Sequence, residues 1–429
     1  MRSRTLLALA LVTAAFAQEP PKPAPQPAKS VTIPITLDHD RVVIDVYLPL
    51  PDGTTKRIRG WVDNGNPDLT MSRRAATLMG LNVTCDDKAC TAPPPAAITL
   101  RDPKAGDMQI SLANIKEVKI PLKPVSAASV MVPGMSAEIN LPASVLRHYD
   151  VLVDFPDREF TIAQPGTLKF RGVSSKVLVN PANGLIQVPS QIENKKYNLA
   201  LDVGASISFL SQDLSDKLQA AHPDWPHITG AVGPANMWGS AEEPTWKLLR
   251  VDRLQYGPLY LTSVPMADFS KERMSWFEKR AGIATIGLLG SEALLNYRVG
   301  LDYARSTVYF DIGSTFRAPD FDVIGFTLRP EDDGRFTILG IADFDGKPCV
   351  PGPPDGVQIG DHLVAVDGIP VSDSTMGQVW SLLEGTPGQE RKLRIERDGK
   401  QFDVVAHVQH FLGEVPDEKD NKKKSKSKN

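Results

Sequence analysis

Two aspartates stand in closely similar local settings. Trp61-Val62-Asp63-Asn64-Gly65-Asn66 and Ala200-Leu201-Asp202-Val203-Gly204-Ala205-Ser206 each place a carboxylate after a pair of apolar residues and a glycine two positions later. The apolar lead-in reads as the end of a buried strand. The glycine suits a turn that must approach another chain segment closely, because it has no side chain to collide there. Two carboxylates brought together can share one proton and hold one water, so that one acts as base while the other polarises a carbonyl. Each loop is half of such a site. Taken alone, Asp-x-Gly is also an ordinary β-turn sequence, so the chemistry depends on whether the two loops belong to one repeated frame.

A repeat supplies that frame. Leu141, Leu146, Tyr149, Val151 and Asp154 align with Leu289, Leu294, Tyr297, Val299 and Asp302, with Phe155 opposite Tyr303. Both copies read as a short helix, an aromatic, then a β-hairpin turning near Pro156 or Ala304. Upstream, Trp61 to Ser72 matches Ala200 to Ser211 through Asp63/Asp202, Gly65/Gly204 and Ser72/Ser211. The order of the two segments is the same in both copies, which predicts two homologous lobes over residues 31–168 and 169–318. Asp154 and Asp302 fall in the hairpins and are read as turn or cap residues.

The loop around Asp202 resembles the active-site loop of the retropepsin-like and pepsin-like aspartic peptidases, and Ile286-Gly287-Leu288-Leu289-Gly290 resembles the apolar-apolar-Gly element that closes it. The resemblance implies a mostly-β fold of two tandem acid-protease-like β-barrel lobes with a catalytic cleft between them. It also implies Asp63 and Asp202 as the catalytic pair, supported by Asn64, Gly65, Asn66, Val203, Gly204, Ala205 and Ser206. With both loops in one chain, no homodimer is needed. The family has Thr between Asp and Gly, whose hydroxyl bonds across to the opposite loop; Asn64 can supply such a bond and Val203 cannot. In the first copy Glu138-Ile139-Asn140-Leu141 stands at the closing element without the glycine.

The elements that must position these loops are mainly strands. Arg41 to Leu50, Lys56 to Val62, Met108 to Leu112, Ile115 to Ile120 and Val151 to Ile162 carry strand patterns. Short helices are predicted over Ser72 to Met79, Leu141 to His148, Ser211 to Ala220 and Ser291 to Leu295, each opening near Ser or Pro. Gly230 to Glu243, with Trp238 and flanking glycines, is read either as a flap over the cleft or as a surface hairpin.

From Ile324 onward the pattern changes. Gly360-Asp361 before an apolar strand and the tight Asp367-Gly368 turn resemble a PDZ domain, a small α+β unit over 324–410. Met376 to Leu383 is then its groove helix, and Lys392 to Arg397 with Phe402 to Val408 its closing hairpin. The resemblance implies recognition of a C-terminal or extended peptide by strand addition, assigned to Ile338, Leu339, Gly340 and Ile341. The alternative is that the unit packs on the lobes and binds nothing.

The chain has 429 residues, 41% hydrophobic and 23% charged, enough for two to four domains with real cores. Arg2 and Arg4 followed by the apolar run Leu6 to Phe16 and small residues before Gln18 read as a signal peptide over 1–17, hence export to the periplasm or outside the cell. That run is shorter than a spanning helix needs, and no transmembrane span is expected in the mature chain. A Pro-rich linker follows over 18–30, and a charged tail over 411–429.

Export permits a disulfide, for which Cys85 and Cys90 are the candidates among three cysteines. A net charge of -3 gives no attraction for nucleic acid. Neither the cysteines nor the seven scattered histidines have metal-ligand spacing, so no metal or cofactor is expected. Two functions stay open: an exported aspartic endopeptidase acting on peptide or protein substrates, and an inactive relative that binds extended peptides.

Overall fold

The computed structural model describes residues 28–87, 89–121, 137–314, 321–344, 347–352 and 354–410. The expected signal peptide, most of the Pro-rich linker and the charged tail lie outside these residues. The described chain is mostly β, and no described helix is long and apolar enough to cross a membrane.

A six-stranded sheet joins the two copies of the repeat, in the order Ser30–Pro34, Glu159–Ala163, Asp150–Asp154, Tyr297–Asp302, Thr307–Ile312, Val173–Lys176. At its centre Asp150–Asp154 and Tyr297–Asp302 pair antiparallel, with Val151 opposite Leu301, Leu152 opposite Gly300 and Val153 opposite Val299. Exchanging the two copies maps this register onto itself, so the repeated hairpins meet about a local twofold. Asp302 accepts from the Arg305 amide at 3.0 Å and Asp154 from the Asp157 amide at 2.9 Å, each closing its own turn.

Each Asp-x-Gly loop follows the end of a strand that is flanked in the same way. In the first half, Thr55–Asp63 pairs antiparallel with Arg41–Pro49 and parallel with Ile139–Pro142, which brings Pro142 beside Asp63. In the second half, Lys195–Leu201 pairs antiparallel with Ile186–Ile192 and parallel with Gly287–Leu289, which sets Leu289 beside Leu201. Short capped helices follow: Arg73–Leu78, where the Ser72 hydroxyl accepts from the Ala75 amide, and Gln212–Ala221 after Ser211. Cys85 and Cys90 form a disulfide across the Thr84–Cys85/Cys90–Ala92 hairpin.

The C-terminal residues build a separate sheet ordered Phe326–Pro330, Phe336–Ile341, His362–Val366, Glu390–Arg397, Lys400–His407. Beside it lies the helix Met376–Leu383, held by a reciprocal capping box between Thr375 and Gln378. This order places Ile338, Leu339, Gly340 and Ile341 in the second strand of the sheet. Their strand is interior: Ile341, Gly340 and Ile338 pair with Phe326, Thr327 and Leu328. On the other side, Ile338 bonds Asp361 and Gly360 at 2.8 and 2.9 Å. Phe336 and Thr337 pair with Leu363 and His362 on that same side, so the first half of the strand is flanked on both sides. The outer strands are Phe326–Pro330 and Lys400–His407.

The segment Gly230 to Glu243 is neither a free flap nor a surface hairpin. Val232, Ala235, Asn236 and Glu243 are fully buried, and the chain forms 3-10 turns at Gly233–Ala235 and Glu243–Thr245 instead of paired strands. It is covered by the C-terminal unit, so that one continuous apolar core runs from Phe209, Met237 and Trp246 through Phe326 and Ile338 to Trp380. The first half touches the same place. The Asp38 carboxylate accepts from Thr375 Oγ1 at 2.8 Å, and His39 Nε2 hydrogen-bonds the Gly233 carbonyl at 2.8 Å while its ring stacks on Trp380. Burial pushes the His39 ring well down, to about 3, so it stays neutral there.

A core shared in this way predicts shared unfolding. Phe326→Ala, at a fully buried position, should cost about 3–5 kcal/mol and shift one urea transition seen alike by tryptophan fluorescence and circular dichroism. Separate transitions for residues 321–410 and the remainder would refute the shared core.

Candidate active site

Asp63 and Asp202 are only 2% and 8% exposed and face each other across the junction of the two halves. Their separation follows from the glycines beside them. A methyl group on Gly204 would lie 2.7 Å from Asp63 Oδ1 and 3.1 Å from Asp202 Oδ1, and one on Gly65 only 2.0 Å from Asp202 Oδ2. No side chain fits at either position.

The two carboxylates differ in their partners. Asp202 Oδ1 accepts from the Gly204 and Ala205 amides at 2.8 and 3.1 Å, and the Gly65 amide also bonds the carboxylate. Asp63 Oδ2 accepts from the Asn140 carboxamide at 3.3 Å, with Asn66 as a second side-chain donor. Burial raises both above the ordinary carboxylate range, and the charge of Asp202 raises Asp63 further. Amide donors favour the ionised form, so Asp202 is the better holder of the negative charge and Asp63 of the proton.

The loops are braced by Asn64, which is fully buried. Its Nδ2 donates to the Leu201 carbonyl at 2.8 Å and its Oδ1 accepts from the Val203 amide at 2.7 Å. Trp61 Nε1 adds a bond to the Gly204 carbonyl at 3.2 Å. On the second loop, Ser291 Oγ donates to the Val203 carbonyl and the Ser291 amide to the Ala205 carbonyl, both at 2.8 Å. The Ser206 side chain is buried and finds no hydrogen-bond partner among the described residues. Asn66 Oδ1 accepts from Arg280 and from the Asp68 amide at 2.8 and 3.0 Å. Among the described residues no cluster of His, Cys, Asp and Glu could hold a metal ion.

The carboxylates border a cavity of about 290 Å³ with walls that include Trp61, Phe209, Trp238, Phe269, Trp276 and Phe277. A wall element not assigned from the sequence is the helix Lys271–Ala281, which contributes Arg273, Trp276, Phe277 and Arg280. Its signals were present: Ser270 as N-cap, buried Met274, Phe277 and Ala281 on one face, Lys279 and Arg280 in the last turn, and Gly282 with φ 64° closing it. Arg280 reaches across to the first half and bonds Asp68 at 2.5 Å. Burial opposes ionisation of Asp68, yet Lys119 and Arg280 together hold it below the usual range. Asn140, which donates to Asp63 without lining the cavity, stands where the repeat lacks its glycine and carries no other local signal.

No family model matches the chain, and no curated protein sequence does. Similar folds occur among solved structures. The aspartic proteinase from Irpex lacteus is 12% identical with a TM-score of 0.37, over 66% of this chain and 98% of that one. Basic 7S globulin from soybean is 11% identical at 0.39, over 67% and 96%. Conglutin gamma, a basic 7S globulin from lupine seeds, is 10% identical at 0.38, over 67% and 96%.

The raised carboxyls make a stability prediction with a fixed sign. Their contribution to folding is fully present below the unfolded value of 3.8 and is lost as pH rises through the raised values. Asp202→Asn removes the buried charge and should stabilise the protein at pH 8 by on the order of 1–3 kcal/mol. The gain should vanish as pH falls towards 4. Thermal unfolding across that range measures it, and a variant no more stable than its parent at pH 8 would contradict the raised values.

Proposed function

We propose that this protein is an exported aspartic endopeptidase in which Asp63 and Asp202 activate one water against a peptide carbonyl. The observation that carries the reading is the buried pair of unequally solvated carboxylates beside an aromatic-walled cavity. In its ionised form Asp202 takes a proton from the water as the water oxygen attacks the carbonyl carbon. Asp63 gives its proton to the carbonyl oxygen, forming a neutral tetrahedral gem-diol. Collapse returns a proton to Asp63 from one hydroxyl, and the proton held by Asp202 passes to the leaving nitrogen as the C–N bond breaks.

The two repeats are proposed as acid-protease-like lobes, and residues 324–410 as a PDZ-like unit. Export to the periplasm or beyond is part of the proposal, with the Cys85–Cys90 disulfide as its support. Recruitment of peptides at Ile338–Ile341 is not part of it, because their strand lies inside the sheet between Phe326–Pro330 and His362–Val366. The aromatic walls favour substrates with a large apolar side chain next to the scissile bond.

Digestion of an unfolded protein mixture by the mature chain should give cleavage beside Phe, Leu or Trp. Asp63→Asn and Asp202→Asn should each lower kcat by at least about 10³-fold, the cost of losing one member of a unit that acts together. The pair works only with one proton aboard, so activity should fall at both pH extremes. With both values raised, its maximum should lie above the ordinary carboxyl value of 3.8. Absence of cleavage from pH 3 to 8, with peptide binding that survives both substitutions, would replace this reading with that of an inactive peptide binder.

A further inference from the structure

One outer strand of the C-terminal sheet, Phe326–Pro330, is hydrogen-bonded within the sheet, among the described residues, only to Phe336–Ile341. An edge strand of this kind leaves donors and acceptors open to a partner. Here the open side meets the 230–245 segment of the second half. The Leu328 amide donates to Asn236 Oδ1 at 2.6 Å, and Gly239 packs against Arg329 and Pro330. On the far side of the segment, Pro234 borders a cavity shared with Trp380 and Gly377 of the helix Met376–Leu383. The edge that would receive a partner is therefore occupied by the chain itself.

The bond at Leu328 leads directly to the cavity wall. Asn236 Nδ2 donates to the Glu243 carboxylate. That carboxylate, fully buried, also accepts from the Trp238 and Gly239 amides at 2.8 and 3.1 Å. Trp238 then presents its ring to the cavity beside Asp63 and Asp202. The ring stacks on Phe209 at 5.9 Å, meets Trp246 edge-on at 5.7 Å and carries the Arg273 guanidinium at 4.9 Å. Nothing in this relay is solvent-driven: its polar groups are paired with one another inside an apolar core, where an unpaired donor is costly.

We propose that Asn236 and Glu243 are positioning residues, through which the edge strand of the C-terminal unit fixes Trp238 in the wall that selects the substrate side chain. The C-terminal unit then acts in cis as a buttress of the pocket. This rests on the peptidase reading for what the pocket receives, but not for the coupling itself.

The test compares two peptides that differ only by Phe or Ala at the residue entering the pocket. Asn236→Ala and Glu243→Ala should each lower the Phe-over-Ala ratio of kcat/KM about tenfold, mainly through KM. Measured above the raised Glu243 value of about 7, Asn236→Asp alone sets two carboxylates against each other and should behave likewise. Asn236→Asp combined with Glu243→Gln reverses the donor and acceptor, keeps the Leu328 and Trp238 bonds, gives up only the longer Gly239 bond at 3.1 Å, and should restore most of the ratio. That swapped pair against Asn236→Asp carries the comparison if the alanine variants do not fold.

A parallel arm measures affinity for the Phe peptide in the Asp202→Asn background by quenching of tryptophan fluorescence, with Trp238→Phe as reference. If the parent cleaves nothing but affinity still falls in Asn236→Asp and returns in the swapped pair, the peptidase reading fails and the coupling stands. Unchanged selectivity and affinity in folded variants, or a swapped pair no better than Asn236→Asp, overturns the coupling.

Discussion

Two carboxylates buried against each other are the constraint around which this structure is arranged. Burial and mutual repulsion both oppose ionisation of the pair. The groups that answer this are backbone amides and carboxamides: Gly204, Ala205 and Gly65 around Asp202, Asn140 and Asn66 around Asp63. A cation in direct contact would pull the values down and favour two full charges. Neutral donors leave the pair able to hold one proton. They must come from backbone fixed in place, which requires strand ends on both sides of each loop and glycines where the loops meet.

The twofold sheet supplies the fixed backbone, but it does not build the cavity. Among the described residues its walls are drawn mainly from the second half, where Phe209, Phe269, Trp238 of the 230–245 segment and the helix Lys271–Ala281 face Trp61 of the first, so the site is symmetric at its floor and one-sided above it. Arg280 ties the helix back to Asp68 of the first half, and the C-terminal unit covers the segment through a continuous core. A unit joined by such a core does not move as a tethered module. Its position and the shape of the cavity are one mechanical problem.

The parts legible in the sequence were those encoded locally. The two Asp-x-Gly loops, the repeated hairpins, the Ser72 and Ser211 helix starts and the helix Met376–Leu383 each carry their own signal within a few residues. Sheet order carries no such signal. Phe336–Ile341 has the same apolar pattern whether interior or at an edge, and only the pairing with Phe326–Pro330 decides it. Burial of Asn236 and Glu243 was invisible for a related reason: polar residues between glycines read as surface loop unless their partners, more than eighty residues away at Leu328, are known. The helix Lys271–Ala281 was readable from its caps and was obscured by its many charges.

Asn64 shows how one substitution in a pattern can be made good by chemistry. A carboxamide presents a donor and an acceptor at the two ends of one rigid planar group. Asn64 uses both, on the Leu201 carbonyl and the Val203 amide, and so satisfies the two backbone groups that flank Asp202. The residue facing it then needs no polar atom, and Val203 is free to be fully buried. The brace between the loops is therefore asymmetric: the first loop supplies both of these side-chain hydrogen bonds to the second, and the apolar Val203 side chain supplies none in return.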